Sequence, residues 1–382
     1  MDLRPTDEQR LLRQTVREFA AAEMAPHVMT WDEAQHFPTE LLPGLAGLGL
    51  LGIQFPERWG GAGMGAIDYC ICIEELARVD PAVALSVAAH NGLAAAHIHL
   101  CGSDAQRDRY LTPLAKGRHL GAWGLTEPQA GSDAGAMRSR AERVDGGWRL
   151  NGTKTFTTNG SLGQTYVVMA VTDPDAGHHG ITAFIIEGGT PGLTPGRKEN
   201  KLGMRASDTA EVSLVDCVVP DEQRLGAEGE GFIDALRVLD AGRIGIAALA
   251  VGLAQGAYEA ARRHALGREQ FGQPIAAFQA IQFKLADMAT RIEAARWLTY
   301  QAAYLRDQGR TTTRESAMAK LFSSETAVRV AEEGVQIHGG YGFVKDYPAE
   351  KFFRDVKLTT IGEGTSEIQR LVIARQYLQP EG

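Results

Sequence analysis

The period of the hydrophobic pattern changes twice along the chain, and this change constrains the fold more than any other feature of the sequence. Up to about Gly121, apolar residues recur at the spacing of amphipathic helices. Between about Trp123 and Gly231 they form short β-branched and aromatic runs separated by Gly, Pro and Asp. Beyond Phe232 the helical spacing returns in long uninterrupted stretches. This order of helices, strands and helices is unlike the alternating βαβ units of a nicotinamide-binding fold.

The same pattern predicts the fold class and the domain organisation. We expect a mainly α protein with a middle β domain. Residues 1–120 are predicted to form an N-terminal helical domain, residues 121–230 a β-barrel-like domain and residues 231–382 a C-terminal four-helix bundle. Thr6 or Asp7 is a natural N-cap for the first helix. A chain of 382 residues has ample surface to bury in two or three such units.

Composition excludes several classes of function. The net charge of -8 argues against a nucleic-acid-binding protein. No window approaches the ~18 apolar residues of a membrane span, and the charged start lacks the apolar core of a signal peptide. The four cysteines form no CxxC pair, and His97 and His99 are two apart without a carboxylate at helical spacing, so no metal site is expected. We expect a soluble, reduced, cytoplasmic protein without nucleic-acid or membrane partners.

Two polar segments at the edges of predicted strands are suited to a planar, electron-deficient ring. They are WGLTEPQAGSD at 123–133 and LNGTKTFTTNG at 150–160. Such a ring needs hydrogen-bond donors at its polar edge and a flat surface beside it, and Phe156 offers that surface. The candidate donors are the hydroxyl groups of Thr126, Ser132, Thr157 and Thr158. Each segment taken alone is more typical of an ordinary turn, but the two together, in this order and at this spacing, favour the ring site.

Two further segments have the chemistry of a nucleotide site. In REQFGQPIAAFQAIQ, at 268–282, the Arg268 guanidinium suits pyrophosphate oxygens and the Gln side chains suit ribose and adenine edges. A solvated turn between two helices is the alternative for this segment. In QIHGGYGF, at 336–343, the glycines permit close approach of the backbone to a ligand.

The segment IGEGTSEIQR, at 361–370, carries the candidate catalytic residue. Glu363 stands between two glycines, so it cannot lie in the middle of a helix, and Thr365 is a natural N-cap for the helix that follows. A carboxylate on such a turn can project into a cavity, although a solvated surface residue is the ordinary alternative. Asp240 and Arg243 are three residues apart and therefore lie on one helical face, where an ordinary surface pair is the alternative.

Together these segments resemble the acyl-CoA dehydrogenase family over essentially the whole chain, from the first helix to the final EIQRLVIARQYL. The resemblance implies an FAD-dependent α,β-dehydrogenation of an acyl-CoA thioester to a trans-2-enoyl-CoA. Glu363 would remove the α-proton while flavin N5 accepts the β-hydride. Some relatives place the base on an earlier helix, but near Gly242 this chain offers no carboxylate except Asp240.

The resemblance also implies three groups of binding residues. The flavin would contact Leu125, Thr126, Gly131, Ser132, Phe156, Thr157, Thr158, Thr365 and Glu367. The adenosine half of an FAD held by a neighbouring subunit, or the backbone beside it, would contact Arg268, Gln270, Phe271, Gln279, Gln336, Gly339 and Gly340. The acyl-CoA would contact Ser132, Asp240, Arg243 and Gly364. The position of Phe156 is commonly Trp in relatives, and the flat apolar face is kept.

By the same resemblance we expect a homotetramer that passes electrons to an electron-transfer flavoprotein. Two alternatives remain at this point: an acyl-CoA oxidase or flavin monooxygenase on the same scaffold, and a catalytically silent flavoprotein that binds CoA esters. Gly362 precedes the candidate base where straight-chain relatives often carry Tyr. We therefore expect a wider pocket beside the α-carbon, one that accepts a branched or bulky acyl group.

Overall fold

The computed structural model describes residues 4–378, so residues 1–3 and 379–382, at the ends of the first and third expected domains, lie outside the described residues. The first part of the chain is helical. The N-cap at Thr6 is confirmed, because the Gln9 backbone N–H donates to its Oγ1 at 3.1 Å. The helices are α1 (Asp7–Phe19), α2 (Val28–Ala34), α3 (Leu42–Gly47), α4 (Ala66–Val79), α5 (Pro81–Ala89), α6 (Ala96–Cys101), α7 (Asp104–Gln106) and α8 (Thr112–Ala115).

The middle part forms one mixed sheet, which confirms the predicted β domain. Its strands are β1 (Gly121–Gly124), β2 (Arg140–Val144), β3 (Gly147–Thr158), β4 (Thr165–Val171), β5 (Ile181–Glu187), β6 (Leu193–Lys198), β7 (Thr209–Pro220) and β8 (Arg224–Leu225). The strand order is β6-β7-β3-β2-β4-β5-β8, and β1 pairs in parallel with β4. Strands β4 and β5 are buried almost throughout, which explains why their sequences are continuous apolar runs rather than alternating ones.

The last part is the predicted helical bundle. It comprises α9 (Gly231–Gly267), the short strands β9 (Glu269–Gln270) and β10 (Gln273–Pro274), α10 (Gln279–Asp307), α11 (Thr313–His338), α12 (Ala349–Asp355) and α13 (Ser366–Leu378). Helix α9 packs against α10 and α11, and α11 packs against α13. A Cβ added at Gly252 or Gly256 would lie 2.2 or 2.3 Å from a carbonyl oxygen of α4, so these glycines allow α4 and α9 to pack closely.

The largest hydrophobic core joins the first and last parts of the chain, with buried side chains from α1, α4, α5, α9, α10 and α11. Two further cores lie on the sheet. One of them packs α6 and α8 against β4 and β5, and the other is built around Trp148, Tyr166 and Phe184. No helix in the described part of the chain is both long enough and apolar enough to cross a membrane. The largest core brings α4, α9 and α11 together around the segment that precedes α13.

Candidate active site

Glu363 lies on a tight turn just before α13. Its φ is 54° and that of Gly364 is 95°, so two consecutive residues adopt left-handed conformations. This conformation costs a non-glycine residue about 1–2 kcal/mol. The backbone N–H of Ile368 donates to Thr365 Oγ1 at 3.3 Å, which confirms Thr365 as the N-cap. The turn therefore ends at a fixed helix start and projects the Glu363 side chain towards α9.

One oxygen of the Glu363 carboxylate makes no hydrogen bond with the described residues. Its Oε2 is buried and has no hydrogen-bond partner among the described residues, although the residue as a whole keeps partial exposure. A Cβ added at Gly242 would lie 2.1 Å from this oxygen. Burial raises the pKa of Glu363 to about 7, against the opposing effect of Lys320 and Arg243. A carboxylate with that pKa is suited to act as a base near neutral pH.

Two cations approach the turn from different helices. Lys320 of α11 is fully buried, and its Nζ donates to the Gly364 carbonyl at 2.6 Å. Arg243 of α9 is only 5% exposed and donates to Asp240 Oδ1 at 2.6 Å. The alternative of an ordinary surface pair for Asp240 and Arg243 is therefore wrong. Arg243 lies close enough to Glu363 for its charge to lower the pKa of that carboxyl, while Asp240 is only partly buried.

A buried phenol lies beyond the carboxylate. Tyr69 of α4 is 3% exposed, and a Cβ added at Gly92 or Gly245 would lie 3.1 or 2.6 Å from its hydroxyl oxygen. Burial and the negative charge of Glu363 raise the pKa of Tyr69 well above its usual value. A neutral phenol, packed against Gly92 and Gly245, is therefore a neighbour of Glu363.

The two polar segments at 123–133 and 150–160 contact each other in the β domain. The Thr155 backbone N–H donates to the Thr126 carbonyl at 2.9 Å, and Lys154 Nζ donates to the Leu125 carbonyl at 3.3 Å. Gly131 and Ser132 are exposed on the loop that follows. The structure thus brings the segments together at Thr126 and Thr155, three residues before Thr158.

The buried Glu127 carboxylate links the first of these segments to Lys154 in the second. It lies 2.7 Å from Lys154 Nζ and accepts hydrogen bonds from the backbone N–H groups of Arg138 and Ser139 at 2.6 and 3.0 Å. Burial alone would raise the pKa of Glu127, but Lys154 and the N–H donors outweigh it and lower the pKa to about 2. A buried ion pair therefore anchors the loop to β3.

The Phe156 side chain is exposed at a register shift in β3. The register between β3 and β7 shifts between Lys154 and Thr157, and Phe156 has a φ of 54° within that shift. Bulges of this kind re-aim side chains. The ring is 65% exposed, while the neighbouring Thr157 Oγ1 is buried without a hydrogen-bond partner among residues 4–378. A flat apolar face beside an unsatisfied hydroxyl fits an isoalloxazine ring.

The residues expected at the adenosine half of FAD form a separate group. Arg268 lies over the Tyr341 ring at 5.1 Å, so the segments 268–282 and 336–343 meet. The group is open to solvent; its exposed members are Gln270, Phe271, Gln279, Gln336, Gly339 and Gly340. Arg268 follows the end of α9, and Arg243 lies within that helix, 25 residues earlier. That spacing corresponds to about 37 Å along a helix.

Sequence reasoning missed three residues around the candidate base: Lys320, Tyr69 and Gln369. Gln369 Nε2 donates to the Gly364 carbonyl at 2.9 Å. The only signal for Lys320 was a lysine in the run SAMAKLFSSETA, where small side chains predict burial. Tyr69 had no signal of its own, because an aromatic residue in an apolar helix is typical of any core.

The surroundings of His97 include a carboxylate from a distant part of the chain. His97 does have a carboxylate neighbour, because Asp234 of α9 and Cys101 bring their ligand atoms within 4.8 Å of one another and of His97. Sequence spacing could not show this, since Asp234 comes from a distant helix. Trp123 Nε1 donates to His97 Nδ1 at 3.1 Å, and a neutral His97 then carries its proton on Nε2. That protonated nitrogen is not available to a metal ion.

Models of known protein families match almost the whole chain. Three family models match: the acyl-CoA dehydrogenase N-terminal domain at residues 6–118, the middle domain at residues 122–217 and the C-terminal domain at residues 229–378. An acyl-CoA dehydrogenase of Bacillus subtilis (strain 168) is 48% identical over 373 residues, which is 98% of either chain.

Two solved structures superpose over almost the whole chain. Butyryl-CoA dehydrogenase from Megasphaera elsdenii has a TM-score of 0.98 at 44% identity and covers 99% of this chain and 100% of its own. A chain in the structure described as the electron transferring flavoprotein of Acidaminococcus fermentans has a TM-score of 0.98 at 46% identity, with the same coverage. The chain therefore belongs to the acyl-CoA dehydrogenase family, whose members are FAD-dependent enzymes that dehydrogenate acyl-CoA thioesters.

Proposed function

We propose that Glu363 is the base that removes the α-proton of the acyl-CoA substrate. The observation that carries this proposal is its buried, unpaired Oε2, with a pKa raised to about 7. A base held away from water and from competing donors keeps its lone pair free for the substrate. Because an α-proton is only weakly acidic, a base of this strength near neutral pH is what the reaction needs from the protein.

We propose that the flavin half of FAD lies against Phe156 and the neighbouring hydroxyl groups. The unsatisfied Thr157 hydroxyl and the exposed Phe156 ring support this position. Bound FAD supplies the two-electron acceptor for the β-hydride. The remaining proposed contacts of this half are Leu125, Thr126, Gly131, Ser132, Thr158, Thr365 and Glu367.

The adenosine half of FAD is proposed to lie at the separate group around Arg268. About 37 Å along α9 separates Arg268 from Arg243, a proposed contact of the acyl-CoA, so Arg268 is remote from the candidate base of its own chain. We infer that each chain serves the adenosine half of a neighbour's FAD, which makes a homotetramer part of cofactor binding. The exposed Phe271, at 93%, is consistent with cover by another subunit. The other proposed contacts are Gln270, Gln279, Gln336, Gly339 and Gly340.

The acyl-CoA is proposed to contact Ser132, Asp240, Arg243 and Gly364. Arg243 is held by Asp240, which in turn accepts a hydrogen bond from the Thr313 hydroxyl at 2.5 Å, so its position is fixed before substrate binds. The buried Tyr69 ring near Glu363 and the similarity to a butyryl-CoA dehydrogenase both favour a short acyl group. A Cβ added at Gly362 would meet only Leu358, at 3.6 Å, which supports room for a branch beside the α-carbon.

We propose an electron-transfer flavoprotein as the electron acceptor, on the similarity to the chain in the Acidaminococcus fermentans structure. A cytoplasmic location is also proposed, because the four cysteines are free, three of them buried. The division into domains at residues 1–120, 121–230 and 231–382 is proposed on the change from helices to strands at Gly121 and back at Gly231.

The proposed function is tested by mixing the purified yellow protein anaerobically with straight and branched acyl-CoAs and following the flavin absorbance. We expect rapid bleaching by one class of acyl chain, and loss of bleaching in the Glu363→Gln variant. Glu325→Gln is the matched control, because Glu325 forms only a surface ion pair with Arg370. Bleaching of Glu363→Gln at the rate of the unmodified protein would exclude Glu363 as the base.

A further inference from the structure

Lys320 is buried beside the candidate base without a carboxylate partner of its own. Lys320 belongs to α11, its side chain is fully buried, and its Nζ donates to the Gly364 carbonyl at 2.6 Å. Within the described part of the chain, the ion pairs closer than 4.0 Å do not include Lys320. The other fully buried lysines, Lys154 and Lys351, each lie within 3.0 Å of a carboxylate. Lys320 therefore differs from the lysines that only stabilise the fold.

The carbonyl that Lys320 contacts belongs to the turn that carries Glu363. That turn is in the left-handed region at both Glu363 and Gly364, a conformation that persists only where surrounding contacts hold it. Gln369 Nε2 donates to the same Gly364 carbonyl at 2.9 Å and to the Glu363 carbonyl at 3.3 Å. Donors from α11 and α13 thus converge on one oxygen and fix the direction of the Glu363 side chain.

Charged and titratable groups face Glu363 from three helices. Tyr69 approaches from α4 and stays neutral, because its pKa is raised well above the usual value. Arg243 approaches from α9, but Asp240 at 2.6 Å offsets its charge. Lys320 approaches from α11; burial lowers its pKa to about 8, and Glu363 and Glu367 act in the opposite direction. Near neutral pH, Lys320 is therefore the cation whose charge is least compensated at the base.

We propose that Lys320 is a positioning residue for the proton abstraction assigned above to Glu363. Its ammonium group holds the Gly364 carbonyl, which aims the carboxylate, and its charge favours the ionised form of the base. The inference rests on the proposed function of Glu363. It adds a residue from α11 to a site otherwise built from the turn, α9 and the flavin segments.

The test compares the pH dependence of the flavin bleaching rate at saturating substrate in the FAD-loaded protein and in Lys320→Met. The acid limb of this profile is the pH at which the rate reaches half of its plateau as pH rises, near pH 7 in the unmodified protein. We expect it to move upward by about one pH unit in Lys320→Met, because the nearby positive charge is lost. The plateau rate is expected to fall about tenfold, because the turn is less firmly held. Arg329→Gln is the matched control: it removes a cation from the exposed face of the same helix, and its profile should match that of the unmodified protein.

Lys320→Arg keeps the charge and is expected to keep the acid limb near pH 7, even if the plateau falls. An acid limb of Lys320→Met that coincides with that of the unmodified protein would overturn the inference. If Lys320→Met does not retain FAD, Lys320→Arg decides: an acid limb that moves upward by about one pH unit although the positive charge is kept would equally overturn the inference. Glu363→Gln separates the two proposals, because full bleaching there rejects the base itself. Loss of bleaching in Glu363→Gln with an unmoved limb in Lys320→Met rejects only the role of Lys320.

Discussion

Gly242 and Glu363 face each other so closely that a Cβ added at Gly242 would lie 2.1 Å from Oε2 of the carboxylate. Real Cβ atoms do not approach an oxygen to this distance, so any side chain at position 242 must displace the Glu363 carboxylate. The absence of a side chain at Gly242 is therefore needed for the observed position of the Glu363 carboxylate.

The first prediction concerns this contact. Gly242→Ala should lower the anaerobic bleaching rate by about a hundredfold, because displacing a reacting group by about 1 Å has an effect of that order. FAD content should stay unchanged, because the atoms nearest to a Cβ added at Gly242 belong to Glu363 and Leu93, and neither residue is a proposed flavin contact. Gly334→Ala is the matched control: Gly334 is a buried helical glycine whose added Cβ would meet Ala257 only at 3.6 Å or beyond. A Gly242→Ala variant as fast as Gly334→Ala would show that the carboxylate has freedom to move aside.

The second prediction is the pH profile of the unmodified protein. The pKa of Glu363 is about 7, raised chiefly by burial. The base must be ionised, so the bleaching rate at saturating substrate should rise with pH and reach half of its plateau near pH 7. Stopped-flow measurements across this range check the midpoint. A midpoint near pH 4.5, the ordinary value for a glutamate, would mean that the carboxylate is solvated before reaction.

The third prediction concerns stability, and its sign follows from the same pKa. A carboxyl group whose pKa is higher in the folded than in the unfolded state contributes stability that is present below the unfolded value and is lost as pH rises towards about 7. Glu363→Gln removes this loss. Its melting temperature should therefore exceed that of the unmodified protein at pH 8, and the difference should vanish near pH 4. Equal melting temperatures at pH 8 would contradict a buried, destabilising carboxylate.

Much of the fold could be predicted from the sequence because its signals are local. The change of hydrophobic period, the Thr6 and Thr365 caps and the Asp240–Arg243 spacing all act within a few residues. The position of Glu363 on a turn also followed from its two flanking glycines. These features depend on the backbone and its nearest side chains, which a linear pattern records.

The surroundings of Glu363 could not be predicted in the same way. Tyr69 lies 294 positions before it and Lys320 lies 43 before it, and only the packing of α4 and α11 against α9 brings them together. The direction of the Phe156 side chain depends on a register shift between β3 and β7, and no residue type in the sequence predicts that shift. Contacts between distant elements thus decide the electrostatics of the site, while local patterns decide where its parts begin.

The fourth prediction concerns the buried pair of Glu127 and Lys154. Lys154→Met should destabilise the protein by about 3–5 kcal/mol, because it leaves the buried carboxylate of Glu127 unpaired. FAD should also be lost more readily, because Lys154 no longer holds the Leu125 carbonyl. The double variant with Glu127→Gln should recover part of the stability, since no uncompensated charge remains. Denaturant unfolding of the FAD-loaded proteins checks this order, and a double variant less stable than Lys154→Met would contradict it.

The last prediction concerns the acyl group. Gly362 has room for a side chain, because an added Cβ would meet only Leu358 at 3.6 Å. The unmodified protein should therefore oxidise branched short-chain acyl-CoAs as well as linear ones. Gly362→Tyr should lower kcat/KM for a branched substrate relative to its linear isomer by about tenfold, since the ring occupies the space of the branch. Gly362→Ala should leave that ratio near its original value and serves as the matched control. Turnover of linear substrates alone by the unmodified protein would show that the space beside Gly362 does not reach the α-carbon.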